Sequence, residues 1–411
     1  MSSAVKHNDA EQAIVAAGAG FHGVRAEALM RFAEQGLPHR RMEAWKWSDL
    51  RAALRSLPAP AGIEITPPSV FAGIGAFEID LSGDEASWRE TVPAGVSISI
   101  DKQGGGVVGQ KNGIGPLEAL ATAFSTETVV INIEDGAEVA APIALVRAAA
   151  GGMAHRFIRL KVGAAAQVTV LESFNGQGAY FDNLLTEVEV GKGAILRRYA
   201  ILEGSNEGVD TTLFRARLAA NARIEGAALL LGGHLSRFEH ALAFRGDEAS
   251  ALFASASLLG EQRHADATSL IDHAAANCRT EQLHKSVVRD RARAVFQGKF
   301  LVGREGQKTD ANMQANALLL SDQAEANHKP ELEIYADDVL CAHGSTAGAL
   351  DDDALFYMRQ RGLDENEARA LLIEAFLGEV VDEIEDERIQ EIFRSTIDAR
   401  LRALSRAGLN S

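Results

Sequence analysis

Between residues 158 and 224 apolar and charged positions alternate with a period of two, and the alternation recurs at a fixed distance. Ile158, Leu160 and Val162 are separated by Arg159 and Lys161, and a short Gly/Ala turn leads to Val168. Val188 and Val190 alternate with Glu187 and Glu189, followed by Gly191-Lys192-Gly193 and Leu196. Phe214, Ala216 and Leu218 alternate with Arg215 and Arg217 before Ile224. Val162, Val190 and Leu218 are spaced by 28 residues, as are Val168, Leu196 and Ile224, and Leu242 and Phe244 give a looser echo before the turn at Arg245-Gly246-Asp247. Period-two alternation marks strands with a buried face, and a fixed repeat of about 20–50 residues marks a solenoid or an array. A β-helix, whose coils are strands joined by tight turns, satisfies the pattern; so does an antiparallel sandwich with hairpins of similar length.

The two ends carry a helical pattern instead. Ala26–Ala33 and Trp45–Leu54 suit short helices on either side of the Gly36-Leu37-Pro38 break. Asp351–Asp353 predict the cap of a helix ending at Arg361, with Gly362 as its left-handed stop. Asp364 and Glu367 form a capping-box pair opening the next helix. Ile389, Ile392, Phe393, Ile397, Leu401 and Leu404 then recur at helical spacing, a stripe that on its own predicts docking onto the chain's own core. The expected organisation is a mainly β chain in three parts: a helical and mixed region over 1–125, a strand core over 126–350 and a helical domain over 351–411.

Composition narrows the function classes. The 411 residues are 46% apolar, enough for a large core, and no stretch approaches the roughly 20 apolar residues of a membrane span. The first residues, Met1-Ser2-Ser3-Ala4-Val5-Lys6-His7, lack an apolar signal core, so a cytoplasmic protein without a membrane partner is expected. Cys278 and Cys341 are the only cysteines, which fits a reducing compartment and no disulfide framework. A net charge of −16 argues against nucleic acid as a partner, since phosphate binding needs basic surface.

The densest polar run lies between Gln307 and Gly362, and within it Cys341 and His343 stand two residues apart on an expected strand. Such side chains share one face, roughly 6.6–6.8 Å apart along the chain, and can hold one edge of a metal cluster. Iron–sulfur clusters take four ligands, mostly thiolates, with imidazole as a known substitute. The chain has no Cys-x-x-Cys pair and Cys278 lies 63 residues upstream, so any further ligands must come from a partner at an interface. The competing account makes Cys341 a small hydrophobe and His343 a hydrogen-bonded structural residue. Gly104-Gly105-Gly106 and Gly232-Gly233 lack the sequel of a phosphate loop and suit turns. His234, His240, His264, His273 and His284 show no zinc-type spacing. Asp310, Asp337 and Asp338 suggest carboxylate chemistry of a polysaccharide-active β-helix, or else turn caps and partners for Lys308 and Arg359.

Two motifs, in order, resemble the SufB/SufD family of iron–sulfur cluster assembly scaffolds. One is Gly36-Leu37-Pro38-His39-Arg40-Arg41-Met42-Glu43-Ala44-Trp45-Lys46-Trp47-Ser48-Asp49-Leu50, with Trp47-Ser48 where the family commonly shows Tyr-Thr; the other is the run containing Asp337-Asp338-Val339-Leu340-Cys341-Ala342-His343-Gly344. The first block, His343-Gly344 and the low cysteine content point to the SufD branch. The resemblance implies a right-handed parallel β-helix core and a non-catalytic scaffold. It implies pairing with a SufB-like paralogue, and a C-terminal helical region that engages a SufC-like ABC ATPase carrying the nucleotide site. It also implies that His343, with Cys341 beside it, meets a transient iron–sulfur cluster shared with the partner, and that the isolated chain holds none stably. A SufB-like subunit, a homodimer of this chain alone and the polysaccharide enzyme remain the alternatives.

Overall fold

The computed structural model describes residues 7–60, 69–83, 85–102 and 115–406; the Gly104–Gly106 run lies outside them. Helices α1 (Asp9–Ala17) and α2 (Gly23–Gln35), a 3-10 turn at Glu43–Trp45 and the short α3 (Leu50–Ala53) come first. Strands β1 (Phe77–Asp80) and β2 (Val96–Asp101) precede α4 (Pro116–Phe124), and β3 (Thr128–Ile133) and β4 (Ile143–Ala149) follow it. Then come β5 (Met153–Val162), β6 (Gln167–Gly176), β7 (Phe181–Val190), β8 (Ile195–Glu203), β9 (Val209–Leu218), β10 (Arg223–Leu230) and β11 (Leu235–Phe244). The strands end with β12 (Ser250–Leu259), β13 (His264–His273), β14 (Arg279–Val288), β15 (Arg293–Val302), β16 (Asp310–Leu319), β17 (Glu325–Ile334) and β18 (Leu340–Gly348). Helices α5 (Asp352–Gln360), α6 (Glu365–Val381) and α7 (Glu387–Arg406) close the chain.

Successive strands alternate between two sheets, one ordered β1-β4-β6-β8-β10-β12-β14-β16-β18 and the other β17-β15-β13-β11-β9-β7-β5-β3-β2. Every pairing is parallel except β2 with β3, so the chain is a β-solenoid and the sandwich is excluded. The 28-residue repeat is the rise of one coil: Val162 pairs Val190 and Val190 pairs Leu218 in one sheet, while Val168 pairs Leu196 and Leu196 pairs Ile224 in the other.

Stacked corners explain how residues other than glycine hold left-handed positions. Ala165, Asn221, Glu248, Asn277 and Lys308 all have positive φ, and each donates its N–H to the carbonyl of the next coil, at Lys192, Asp247, Ala276, Gln307 and Asp338. Gly193 takes the same place and donates to Ala220. The strain of a left-handed residue is offset because an otherwise unpaired backbone donor finds its acceptor.

Three apolar clusters hold the fold. One fills the solenoid between the sheets, from Phe77 and Ile79 to Ala311, Met313 and Ala315. A second joins the outer face of the β18-containing sheet to α6 and α7, with Tyr199, Leu229 and Leu258 against Leu377, Phe393 and Ile397. A third joins the outer face of the other sheet to α1, α2 and α4. Both faces of the middle strands are therefore covered, as parallel strands require. The Gly36–Leu50 block runs along this second outer face. Arg237 lies 3.9 Å over the Trp45 ring, Arg237 and Gln297 donate to the Ala44 carbonyl, Ser48 bonds Asp266, and Glu43 pairs with Lys329 on β17.

The C-terminal caps stand where the sequence puts them: Asp351 caps α5, Gly362 takes positive φ, and Asp364 with Glu367 forms the capping box of α6. The stripe Ile389, Phe393, Ile397, Leu401 and Leu404 is buried on the chain's own solenoid. No helix among the described residues is long and apolar enough to cross a membrane.

Candidate functional site

Cys341 and His343 lie on β18, the last strand of its sheet. β18 pairs only β16, with Cys341 beside Ala311 and His343 beside Met313. Ala311 and Met313 are interior core residues, so the shared parity turns Cys341 and His343 toward the mouth of the solenoid. Cys341 is half-buried and packs on the interior cluster; His343 is exposed. Leu340 donates its N–H back to Thr309 at 2.8 Å, and the groups of alternate residues in a ladder point alternately to either side. The backbone groups of Cys341, His343 and Ser345 therefore face the free edge. β17 ends the other sheet in the same way, pairing only β15. Two adjacent strand edges are thus left open, with Ile334, Tyr335 and Leu340 exposed beside them.

Burial, and then the negative charge of Asp310, push the Cys341 thiol above its ordinary range, whereas the thiolate is the form that binds metal. Cys278 is buried at the corner entering β14, its sulfur 3.6–3.7 Å from the carbonyls of Ala276 and Gly246, and burial raises its thiol as well. It stands two strands behind the edge, roughly 10 Å away at ordinary strand spacing. Among the described residues no three of His, Cys, Asp or Glu converge in a way that could hold a metal ion.

The other candidates are dispersed. His240, His264, His273 and His284 are buried and bond different partners, Arg198, Ser48, Thr280 and Ser255, while Nδ1 of His273 and Nε2 of His284 have no partner among the described residues. Asp310 pairs with Arg279 at 3.1 Å, and Asp338 serves the corner through its backbone. Arg359 pairs with Glu365, so it does not partner these carboxylates as the sequence suggested. What sequence reasoning missed was the pair of open edges, because a free edge is defined by the absence of a following coil and not by any residue type. The exposed Ile334, Tyr335 and Leu340 were the available signal.

Comparison with known proteins agrees with this architecture. The family model described as SUF system FeS cluster assembly, SufBD core domain, matches residues 145–376. The chain is 28% identical over 390 residues to the iron–sulfur cluster assembly protein SufD of Escherichia coli strain K12, covering 91% of each chain. It is 29% identical over 396 residues to a SufBD family protein of Synechocystis, covering 89% of this chain and 87% of that one. A Mycobacterium leprae SufBD family protein is 28% identical over 325 residues, covering 76% of this chain and 82% of its own length.

Proposed function

The chain belongs to the SufBD family of iron–sulfur cluster assembly proteins, and from that premise we propose that it is a SufD-like, non-catalytic scaffold subunit. It pairs through the β17 and β18 edges with a SufB-like paralogue, and a nascent cluster, the cargo of the assembly, forms between them with His343 and Cys341 on this side. The observation that carries this is an incomplete ligand pair on an unpartnered edge. Natural proteins protect long free edges, whereas β18 leaves its outward N–H and C=O groups open beside Leu340. Partial ligation suits a scaffold that must release what it builds, and in a reducing cytoplasm Cys341 remains available as a thiol.

The same reading gives the C-terminal helices a docking role toward a SufC-like ABC ATPase. The stripe of α7 is consumed by the chain's own core, so the available surface is the exposed Phe356 and Tyr357 of α5 with Leu371 of α6. ATP-driven dimerisation of two such ATPase subunits then strains the paired edges where the cluster forms. Co-expression with SufB-like and SufC-like chains, followed by anaerobic iron and sulfide loading, tests the proposal. A ternary complex that develops a cluster chromophore, while the chain alone does not retain one after desalting, supports it. A stoichiometric chromophore on the isolated chain contradicts it.

A further inference from the structure

We propose that a second ligand site lies on β5, remote from the open end, and takes a small, planar, uncharged molecule presenting a hydrogen-bond acceptor. β5 pairs β7 along all of Met153–Val162 but pairs β3 only from Phe157 onward. Met153–Arg156 therefore have no described strand on the β3 side, and the missing half-rung leaves a cavity. Its volume is about 160 Å³, close to that of an engineered cavity of about 150 Å³ that takes benzene. Leu81, Phe124, Met153 and Phe157 form apolar walls, and His155 and Glu127 supply polar groups.

His155 is built as a donor. Its Nδ1 lies 3.0 Å from the side-chain nitrogen of Asn183. That amide cannot be turned round, because the same nitrogen donates to the Leu117 carbonyl at 2.9 Å and the amide oxygen accepts from the Thr211 hydroxyl at 2.7 Å. Nδ1 is thus the acceptor and the ring proton sits on Nε2, a buried N–H with no acceptor among the described residues. Burial lowers the ring's pKa to about 3, so it stays neutral. A buried donor without an acceptor carries its full desolvation cost, which an acceptor on a ligand removes.

The walls also define the ligand's charge and shape. Arg156 is the only cation among the described wall residues, and it is committed to Asp182 and to the carbonyls of Leu81 and Ser82. Glu127 accepts from the Ala86 N–H. With no free cation and one carboxylate, the cavity disfavours anions. Phe124 lies 5.5 Å from the His155 ring, a flat apolar wall beside the donor. Water is the rival occupant, yet the side chains of Leu81, Phe124 and Phe157 offer it no hydrogen bond. The inference does not depend on the scaffold role.

Titrating nicotinamide into the full-length protein tests it, read at the ring nitrogens of ¹⁵N-labelled His155 in the wild type and by titration calorimetry in the wild type and every variant. A saturable shift is expected. His155→Phe keeps the ring volume but lowers the affinity at least tenfold, and Met153→Trp fills the cavity and removes binding with the melting temperature held. Toluene, which has the shape but no acceptor, binds wild type and His155→Phe equally. No saturable shift up to the solubility limit, or nicotinamide binding unchanged in Met153→Trp, overturns the proposal and leaves ordered water as the occupant. Equal nicotinamide affinity in folded His155→Phe overturns the donor role and with it the proposal.

Discussion

Five buried histidines give the molecule a definite response to pH. Burial lowers His155 and His284 to about 3 and His264 and His273 to about 4, and holds His240 well below the ordinary value, with the neighbouring Arg198 charge adding to it. The unfolded chain protonates each near pH 6.5, while the folded chain does not. Between about pH 4 and 6.5 the unfolded state therefore binds more protons, and stability rises with pH by up to about 1.4 kcal/mol per pH unit for each histidine. Asp210 opposes them: burial raises it to about 7, so the folded state holds its proton and stability falls as pH rises toward 7. Five groups against one leave the net sign with the histidines. The urea midpoint should drop on going from pH 7 to pH 5; a flat or rising midpoint would show that these imidazoles charge in the folded protein.

At the scale of elements, α7 serves folding and α5 carries the proposed docking surface. Phe393 is fully buried between α7 and the solenoid, so Phe393→Ala should cost about 3–5 kcal/mol, visible as a large fall in melting temperature. Truncation after Gly362 removes α6 and α7 and uncovers Tyr199, Leu229 and Leu258, and should likewise destabilise the solenoid. By contrast Phe356→Asp on the exposed face of α5 should leave the melting temperature in place and weaken capture of a SufC-like ATPase at least tenfold; full-strength capture would move the docking surface elsewhere. Much of this level was legible in the sequence. The repeat was the coil itself, and Asp351, Gly362 and Asp364 act as written, because caps and coil turns are local. The fading of the repeat after Phe244 has a physical cause: Leu218 to Phe244 spans 26 residues, the next two coils 29 each and the last 32. Corners absorb such insertions while the strands stay in register. Spacing alone predicted that the α7 stripe docks on the chain's own core, as it does, but which outer face of the solenoid it covers depended on long-range packing.

At the scale of the whole molecule, the solenoid is covered on both outer faces and open at the β17–β18 end. That geometry makes the edge separable from the fold. Ser345 is exposed and directs its N–H away from β16, so Ser345→Pro removes an edge donor without breaking the ladder; it should abolish pairing with a SufB-like chain while the isolated protein melts as before. Retained pairing would mean that the partners do not meet strand to strand. His343 is the decisive residue, since it is exposed and contributes little to the core. The most direct measurement compares wild type and His343→Ala in the reconstituted complex, recording cluster yield after anaerobic loading together with the melting temperature. The account predicts an unchanged melting temperature, an intact complex and a cluster yield reduced at least fivefold. An unchanged yield in an equally folded complex would remove His343 from the site and contradict the account.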